Sequence, residues 1–261
     1  MPHTVLVFAP HPDDAEYYAG GTLAGWIASG SRVILVTVTD GSKGSFAHPS
    51  EQLTAMRHAE AEAAAKTLGA ESTIFLGYPD FELDTLPVGQ IRRDFIRLLR
   101  QYKPDILVAQ DAFAQGEIHP DHCVVARAAV EAANFSKLPG LYPELGLEPY
   151  VVPEKYYYSE DPARWNKIVD ISATFERKIA AMAAHKSQIE FMVAELLEQA
   201  RQAGINVEET MGGFVQDPLA AFQMGMGSMN AEMGAKAGYD LGEGFYYERY
   251  HPLVEAMLPQ G

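Results

Sequence analysis

The chain has 261 residues, 48% of them hydrophobic, which is enough for one α/β domain or two small ones with a sizeable core. Its formal charge of −15 argues against nucleic acid as a ligand, because proteins that bind nucleic acid carry a basic face. The single cysteine, Cys123, excludes an intramolecular disulfide and a cysteine-rich zinc motif, and it fits a reducing compartment.

The N-terminal residues do not resemble a signal peptide. Residues 1–4 contain no lysine or arginine, and the apolar run after them is too short for a secretory signal. The sequence also has no run of about 18 apolar residues, the length needed to span a bilayer. We therefore expect a cytoplasmic protein that acts on a small molecule and does not enter a membrane.

An apolar run near the N-terminus ends in one imidazole and two carboxylates, Val5-Leu6-Val7-Phe8-Ala9-Pro10-His11-Pro12-Asp13-Asp14. The run predicts a buried strand of a parallel sheet, and the prolines hold His11 just past its carboxyl end, where open α/β sheets bind ligands. A histidine with two carboxylates is half of a divalent metal site. An alternative interpretation is that these residues bind no metal: Asp13 or Asp14 caps a helix near residues 21–29, and His11 is exposed to solvent.

The following segments alternate between strand and helix patterns up to residue 133. The predicted strands are residues 32–39, 72–76 and 105–109, and the predicted helices are residues 51–68, 88–102 and 124–133. This alternation predicts an α/β fold, Rossmann-like, with a mostly parallel sheet covered by helices on both faces. The glycines Gly20, Gly21 and Gly25 do not form G-x-G-x-x-G, so a dinucleotide cofactor is not indicated.

A second motif, Gly116-Glu117-Ile118-His119-Pro120-Asp121-His122, follows the strand predicted at residues 105–109. The carboxyl ends of parallel strands share one edge of a sheet, so this motif should meet the first one there. Three protein ligands and an open position are typical of catalytic zinc, and the two motifs supply His11, a carboxylate, and His119 or His122. Two coincidental His/Asp clusters on sheet-edge loops remain the structural alternative.

The motif residues that do not bind the metal are suited to catalysing hydrolysis of an amide or an ester. Of the adjacent Asp13 and Asp14, one can bind the metal while the other takes a proton from water. A spare histidine can stabilise the oxyanion and protonate the leaving amine. Asp121 is close enough to orient an imidazole, although it can equally cap a helix.

The second half of the chain carries weaker patterns. Residues 136–153 suggest a loop or lid over the site, and strands are predicted at 155–159 and 167–170. Residues 175–203 read as one or two helices around His185, which we expect to be structural. The Met/Gly-rich residues 210–244 are either a subunit interface or a loosely packed flap.

The chain resembles a known family, the LmbE-like or PIG-L-type N-acetylglucosaminyl deacetylases. The resemblance is carried by Pro10–Asp14, Thr39-Asp40-Gly41, Arg57 with Glu60, Leu76–Asp80 and His119–His122, with weaker matches at His185–Gln188 and Gly242–Phe245. It covers residues 1–135 well and the remainder thinly. The long C-terminal part is more similar to the diacetylchitobiose deacetylase branch, whose members are homo-oligomers, than to the compact thiol-pathway members.

This resemblance implies one Zn²⁺ per chain on His11, Asp14 and His122, with Asp13 as general base and His119 as general acid or oxyanion partner. It also implies that Arg57 and Asp80 contact the sugar.

Two departures from the family pattern bear on substrate specificity. Ala15 precedes Glu16 where the family has His-Pro-Asp-Asp-Glu, and Ser42 stands where an acid is common. Neither departure concerns a proposed ligand.

On this basis we expect residues 1–261 to form a single deacetylase domain. Residues 1–135 would be its βα core with the metal site. Residues 136–261 would be an irregular C-terminal extension that contains the lid, the late strands, further helices and a possible oligomerisation segment. Two other functions fit the same motifs: a non-catalytic metal- or sugar-binding module, and an amidase of a sugar-thiol conjugate.

Overall fold

A computed structural model of the chain describes residues 2–87, 89–250, 252–255 and 257. The first half contains β1 (Thr4–Ala9), α1 (Asp14–Ala28), β2 (Arg32–Thr39), α2 (Ser50–Leu68), β3 (Ser72–Tyr78), α3 (Gln90–Tyr102), β4 (Ile106–Gln110) and α4 (Pro120–Phe135). The second half contains β5 (Glu154–Tyr158), β6 (Lys167–Asp170), α5 (Phe175–Met182), α6 (Lys186–Gln202), α7 (Val207–Gln216), α8 (Pro218–Ala235), β7 (Gly242–Glu248) and α9 (Pro252–Glu255). Val88, the predicted first residue of α3, lies outside the described residues.

The described strands form one sheet in the order β3-β2-β1-β4-β5-β7-β6. Neighbours from β3 to β5 are parallel, whereas β7 runs antiparallel to both β5 and β6. The predicted α/β fold with a mostly parallel sheet is confirmed. Since β2 and β4 flank β1, the direction of the chain connections reverses at β1, and such a switch point opens a crevice at the carboxyl edge.

Strand β1 is buried on both faces, which accounts for its continuous apolar run. Leu6 and Phe8 pack into the core that α3 and α4 cover, and the Phe8 ring stacks on Phe95 with centroids 3.8 Å apart. Val5 and Val7 pack into the opposite core, which α1 covers. This two-sided packing fixes the point at which β1 ends and His11 begins.

Helix α1 begins at Asp14, well before the start predicted near residue 21. Gly20 and Gly21 therefore lie inside the helix and do not form a turn. A Cβ atom on Gly21 would lie 2.7 Å from Cβ of Ile171, so the glycine allows the chain before α5 to approach α1 closely. The glycines that we tested as a cofactor fingerprint are packing residues.

The segment predicted as a lid, residues 136–153, lies against α3 and α4. The carbonyl of Ser136 accepts a hydrogen bond from Nε of Arg100 at 3.0 Å, and the Tyr142 hydroxyl accepts one from Nε of Arg92 at 3.2 Å. Other segments line the cavity at the His/Asp cluster described below. Residues 136–153 therefore do not lie over the site, where the lid was predicted.

The residues between the late strands are largely helical. Residues 175–203 form two helices, α5 and α6, with the break at residues 183–185. The described part of the Met/Gly-rich segment forms α7, α8 and the start of β7, and the side chain of Met211 lies outside the described residues. In the part of the chain that the structure describes, every helix is too short or too polar to cross a bilayer.

Candidate active site

The two His/Asp motifs meet at the carboxyl edge of β1 and β4. The turn after β1 is fixed because the carbonyl of Pro10 accepts hydrogen bonds from the backbone N–H and Oγ1 of Thr39, at 2.9 and 3.0 Å. His11 follows this turn, Asp14 begins α1, and His122 lies in the first turn of α4. Residues more than a hundred positions apart in sequence are thus brought within contact distance.

Three side-chain atoms from these motifs form a compact triangle, which we call the metal tripod: Nδ1 of His11, Oδ2 of Asp14 and Nε2 of His122. The two nitrogens are 3.1 Å apart. Oδ2 of Asp14 lies 3.4 Å from the His11 nitrogen and 3.6 Å from the His122 nitrogen. Asp14 is also held by the backbone N–H of His11, which donates to the same oxygen at 2.7 Å.

The metal tripod has the dimensions of one face of a tetrahedral zinc site. Zinc binds imidazole nitrogen and carboxylate oxygen at about 2.0–2.2 Å, so two ligand atoms of a tetrahedron are separated by roughly 3.3–3.6 Å. The observed edges of 3.1, 3.4 and 3.6 Å agree with that separation. Two imidazoles and one carboxylate are also a donor set that catalytic zinc uses.

A carboxylate contacts the second ring nitrogen of each tripod histidine. Oδ1 of Asp80 lies 3.1 Å from Nε2 of His11, and Oε2 of Glu117 lies 2.9 Å from Nδ1 of His122. A carboxylate on the far nitrogen places the ring proton there and leaves the other nitrogen free to bind a cation. Both histidines are therefore oriented with their acceptor nitrogens toward the tripod.

A second His/Asp group overlaps the metal tripod. Ligand atoms of His11, Asp80, His119 and Asp121 all lie within 4.8 Å of one another, as do those of His11, His119 and His122. However, the Asp121 carboxylate already accepts backbone hydrogen bonds from Phe81 at 2.6 Å and Leu83 at 3.1 Å. Both oxygens of Asp121 are used in this way, and the edges of the tripod match a tetrahedral site, so the tripod is the better cation site.

The charges around the tripod reinforce one another. Burial alone would lower the pKa of His11, but Asp121, Asp14 and Asp80 raise it well above its usual value. Burial would raise the pKa of Asp14, yet the neighbouring His122 and His11 hold it well below the usual range. The cluster therefore attracts positive charge, which is the property a cation site requires.

Asp13 lines the same cavity and contacts Arg57. Nη2 of Arg57 lies 3.0 Å from Oδ1 of Asp13 and also donates to the carbonyl of Pro12 at 3.3 Å. Burial raises the pKa of Asp13, and Arg57 opposes that shift. Asp13 has a φ of 150°, a region that residues other than glycine rarely adopt.

The ring of His119 faces the cavity and packs beside the other two histidines. Its Nδ1 accepts a hydrogen bond from the backbone N–H of Asp121 at 3.2 Å, so the neutral ring carries its proton on Nε2. Burial and the nearby His11 and His122 lower the pKa of His119, which favours this neutral form. The side chain of Asp121, predicted to orient an imidazole, lies 3.4 Å from Nε2 of His11.

A cavity of about 440 Å³ opens over this cluster. Its polar part is formed by His11, Asp13, Asp14, Arg57, Asp80 and His119, and its other walls by Lys43, Gly44, Phe81, Gln188, Phe191, Met192 and Glu195. A cavity of about 450 Å³ between α3 and α4 contains no histidine among its described lining residues, and another of about 450 Å³ includes His122 but neither His11 nor Asp14. The cavity over the tripod is therefore the candidate active site.

The sequence analysis missed the function of several residues in this site. Glu117 was part of the second motif, but only the fold shows that its carboxylate reaches His122. Asp80 was expected to contact a sugar, whereas its two oxygens are engaged by His11 and by the backbone N–H of Lys43 at 2.8 Å. Gln188 lines the cavity and donates to the carbonyl of Gly44 at 3.1 Å.

Comparisons with known proteins agree with this geometry. Residues 6–133 match the family model described as PIG-L, GlcNAc-PI de-N-acetylase. A diacetylchitobiose deacetylase of Thermococcus kodakarensis is 32% identical over 200 residues, which cover 74% of this chain and 73% of that protein. A 1D-myo-inositol 2-acetamido-2-deoxy-alpha-D-glucopyranoside deacetylase of Mycobacterium sp. (strain KMS) is 30% identical. The match covers 72% of this chain and 75% of that protein.

Among solved structures, an N,N'-diacetylchitobiose deacetylase from Pyrococcus horikoshii, complexed with an inhibitor, has a TM-score of 0.75 to this chain. Its sequence is 29% identical, and the match covers 97% of this chain and 88% of that one. The similarity therefore extends across the C-terminal helices and strands as well as the βα core.

Proposed function

Because this chain belongs to the PIG-L family of de-N-acetylases, we propose that it is a metal-dependent hydrolase that removes the N-acetyl group from an amino sugar or its conjugate. The observation that carries the proposal is the metal tripod, whose three edges of 3.1, 3.4 and 3.6 Å match tetrahedral coordination of one ion. The cation that this donor set fits best is Zn²⁺, held by His11, Asp14 and His122.

Zinc, when bound, supplies a water of lowered pKa and a Lewis acid that polarises the amide carbonyl. The protein supplies the proton transfers. Asp13 accepts a proton from the attacking water, since its burial raises its pKa and makes it a stronger base. His119 presents Nε2–H to the cavity, where it stabilises the developing oxyanion, and the proton that Asp13 has taken from water passes to the departing amine.

The remaining predicted site residues act through these groups. Arg57, only 3% exposed, holds Asp13 through a contact of 3.0 Å. We propose that Asp80 orients His11 and that Asp121 supports the same ring while fixing the loop at Phe81. Arg57 also lines the cavity, so a contact with the sugar is compatible with its position.

The acidic character of the protein suits this reaction. Hydrolysis converts a neutral amide into an ammonium product, and the formal charge of −15 does not repel either species. Relatives act on acetylated amino sugars, as the names of the diacetylchitobiose and inositol-glucosamine deacetylases state. We therefore propose an N-acetylglucosamine derivative as the substrate.

The experiment that tests the proposal is an acetate-release assay on a panel of N-acetylglucosamine derivatives. Zinc-loaded protein should release one acetate per amine formed, and the same preparation treated with a chelator should not. Protein that binds zinc at one ion per chain and releases no acetate from any member of the panel would contradict the proposal. Measured affinity for the sugar in that case would favour a non-catalytic binding module.

We also propose that the enzyme is cytoplasmic and homo-oligomeric, with residues 1–261 as a single deacetylase unit. The single cysteine supports a reducing compartment. Exposed apolar side chains support an oligomer, among them Ile118 at 90% exposure and Phe113 at 62%. Light scattering on the purified protein measures the oligomeric state directly.

A further inference from the structure

A groove with an apolar lining runs beside the active-site cavity, between α6 and α8. It has a volume of about 220 Å³. Its lining includes Tyr17, Met192, Leu196, Phe222, Gly225 and Met229. The described residues that line it include no lysine, arginine, aspartate or glutamate, although the chain as a whole carries a formal charge of −15. A groove of this chemistry takes an uncharged, apolar ligand.

The groove adjoins the candidate active site at Met192. Met192 lines both the groove and the cavity over the metal tripod. Tyr17, at the α1 end of the groove, lies one helical turn from Asp13, and its backbone N–H donates to the carbonyl of Asp13 at 2.9 Å. A molecule whose reacting amide lies near Asp13 can therefore extend past Met192 into the groove.

We propose that this groove binds an apolar aglycone of the amino-sugar substrate, so that the preferred substrate is an amphiphilic N-acetylglucosaminide. The proposal rests on the deacetylase function proposed above and names its substrate class. An apolar cavity of about 150 Å³ holds benzene, so about 220 Å³ has room for an alkyl chain of about eight carbons. Methionine side chains, which adapt their shape, suit a flexible chain.

The aglycone fits the groove better than the acyl group does. The acyl carbonyl must reach the tripod, where His11 and Asp14 are each only 7% exposed. The space on the other side of His122 has polar walls that include Gln110, Glu117 and Glu160, which do not suit a long acyl chain. The aglycone lies outside the reacting bond and can follow the wall formed by Phe191 and Met192. A second copy of the chain is the other occupant to test, but a stable dimer buries about 800 Å² per subunit, far more than a narrow groove offers.

The test compares methyl and octyl glycosides of N-acetylglucosamine, both below the concentration at which micelles form. Wild-type, zinc-loaded protein should hydrolyse the octyl glycoside with a kcat/KM at least about tenfold higher, because burial of the additional methylenes favours binding. A third substrate, the methyl glycoside of N-octanoylglucosamine, tests whether the groove receives the acyl chain instead. Isothermal titration calorimetry of the same ligands reports binding independently of turnover.

Two variants should prevent an apolar ligand from binding in the groove, one by filling it and the other by adding a charge. Gly225→Leu fills it, and a Cβ at Gly225 meets no described atom within 4 Å, so the added side chain has room and strengthens the helix. Leu196→Asp places a charge on a groove residue that is 46% exposed. The matched control is Met224→Asp on α8, which is 58% exposed and lies outside the groove lining.

We expect both groove variants to lose the octyl preference and to keep the methyl glycoside activity, while Met224→Asp keeps both. Equal kcat/KM for methyl and octyl glycosides in the wild type, or an octyl preference that survives in Gly225→Leu, would overturn the proposal. A preference for the N-octanoyl substrate would assign the groove to the acyl chain and overturn it too. So would a dimer that dissociates in Leu196→Asp without an octyl preference in the wild type.

These results separate the two proposals. Methyl glycoside turnover without an octyl preference leaves the deacetylase function intact and removes the aglycone site. Absence of acetate release from every glycoside removes the function. In that case tighter calorimetric binding of the octyl than of the methyl glycoside, lost in Gly225→Leu, would still support an apolar site beside the tripod.

Discussion

Two adjacent aspartates in this site face different partners. Oδ2 of Asp14 faces the two tripod imidazoles, whereas Oδ1 of Asp13 contacts Arg57 at 3.0 Å. The two carboxylates thus contact different groups, although their residues share one peptide bond. This difference in contacts is the physical basis for proposing that Asp14 binds the metal and that Asp13 accepts the proton from water.

The divided function predicts different defects in two variants. Asp13→Asn should keep its metal and lose acetate release by a factor of at least about 10², because the amide cannot accept the proton. Asp14→Ala should lose the metal, since one of the three tripod ligands is missing. Elemental analysis and acetate release on the same preparations measure both quantities. Equal loss of metal in the two variants would contradict the assignment.

Glu117 should affect the metal without touching it. Its carboxylate lies 2.9 Å from Nδ1 of His122 and orients that ring, so Glu117→Gln should weaken zinc affinity by about 10- to 100-fold. Competition with a chelating dye measures the change.

The matched control for Glu117→Gln is Glu131→Gln. Glu131 lies on α4 and pairs with Arg92 at 2.7 Å and Arg127 at 3.1 Å. Zinc affinity should not change in this variant. Unchanged affinity in Glu117→Gln would show that His122 is oriented by other contacts.

At the residue scale, the sequence predicted which residue types gather at the site but not how they are oriented. The strand ends at one edge of the sheet indicated His11, a carboxylate, and His119 or His122, and the family resemblance implied the set His11, Asp14 and His122. The contact of Asp80 with His11 joins β3 to β1 and depends on where a loop of several residues folds back. The spacing between Asp80 and His11 in the sequence does not predict this contact.

At the scale of elements, a buried ion pair holds the C-terminal strand to the first helix. Glu243 of β7 and Lys178 of α5 are fully buried, and their charged atoms are 2.7 Å apart. The Glu243 carboxylate also accepts the backbone N–H groups of Gly21 and Thr22, at 2.9 and 2.8 Å. Burial lowers the pKa of Lys178, although Glu243 opposes that shift. Three elements distant in sequence are thus joined by one side chain.

Removing the charge of Glu243 should destabilise the fold. In Glu243→Gln the Lys178 ammonium would remain buried without a counter-charge, and we expect a loss of about 3–5 kcal/mol in the free energy of unfolding. Urea titration followed by circular dichroism measures it. The exposed pair of Arg32 with Glu71 is the control, and Glu71→Gln should change stability little. A Glu243→Gln variant that unfolds at the wild-type urea concentration would contradict this account.

The elements were predicted best where one strand or helix has a continuous pattern. Strand β2 and the end of α2 at Gly69 lie where the sequence indicated, because a buried apolar run and a left-handed glycine act locally. The start of α1 was missed because the residues that seemed to cap a later helix belong to its first turn. Strand β7 was missed because its glycine-rich start is stabilised by pairing with β6, distant in sequence.

At the scale of the whole molecule, the tripod connects the turn after β1 to α4 across the switch point of the sheet. A cation bound there would therefore stabilise the folded chain as well as activate water. Free zinc at 100 times its dissociation constant should add about 2.7 kcal/mol to the free energy of unfolding. Thermal unfolding with zinc and with a chelator measures this effect. Asp14→Ala should show no difference between the two conditions, whereas a wild type insensitive to the chelator would argue against a metal in the tripod.

The overall architecture followed from the alternation of strands and helices, but the placement of residues 136–153 did not. Their Pro, Gly and Leu content is compatible with a loop in many positions. The side chains of Arg92 and Arg100, on a helix some forty residues earlier in the chain, determine where it packs. Long-range contacts of this kind have no local pattern by which they can be recognised.

The location of the metal is tested most directly by anomalous diffraction at the zinc absorption edge from crystals of the zinc-loaded protein. We predict one peak per chain, about 2.0–2.2 Å from Nδ1 of His11, Oδ2 of Asp14 and Nε2 of His122. A peak at the other cluster, between Nε2 of His11 and the carboxylates of Asp80 and Asp121, or no peak at this edge of the sheet, would contradict the account.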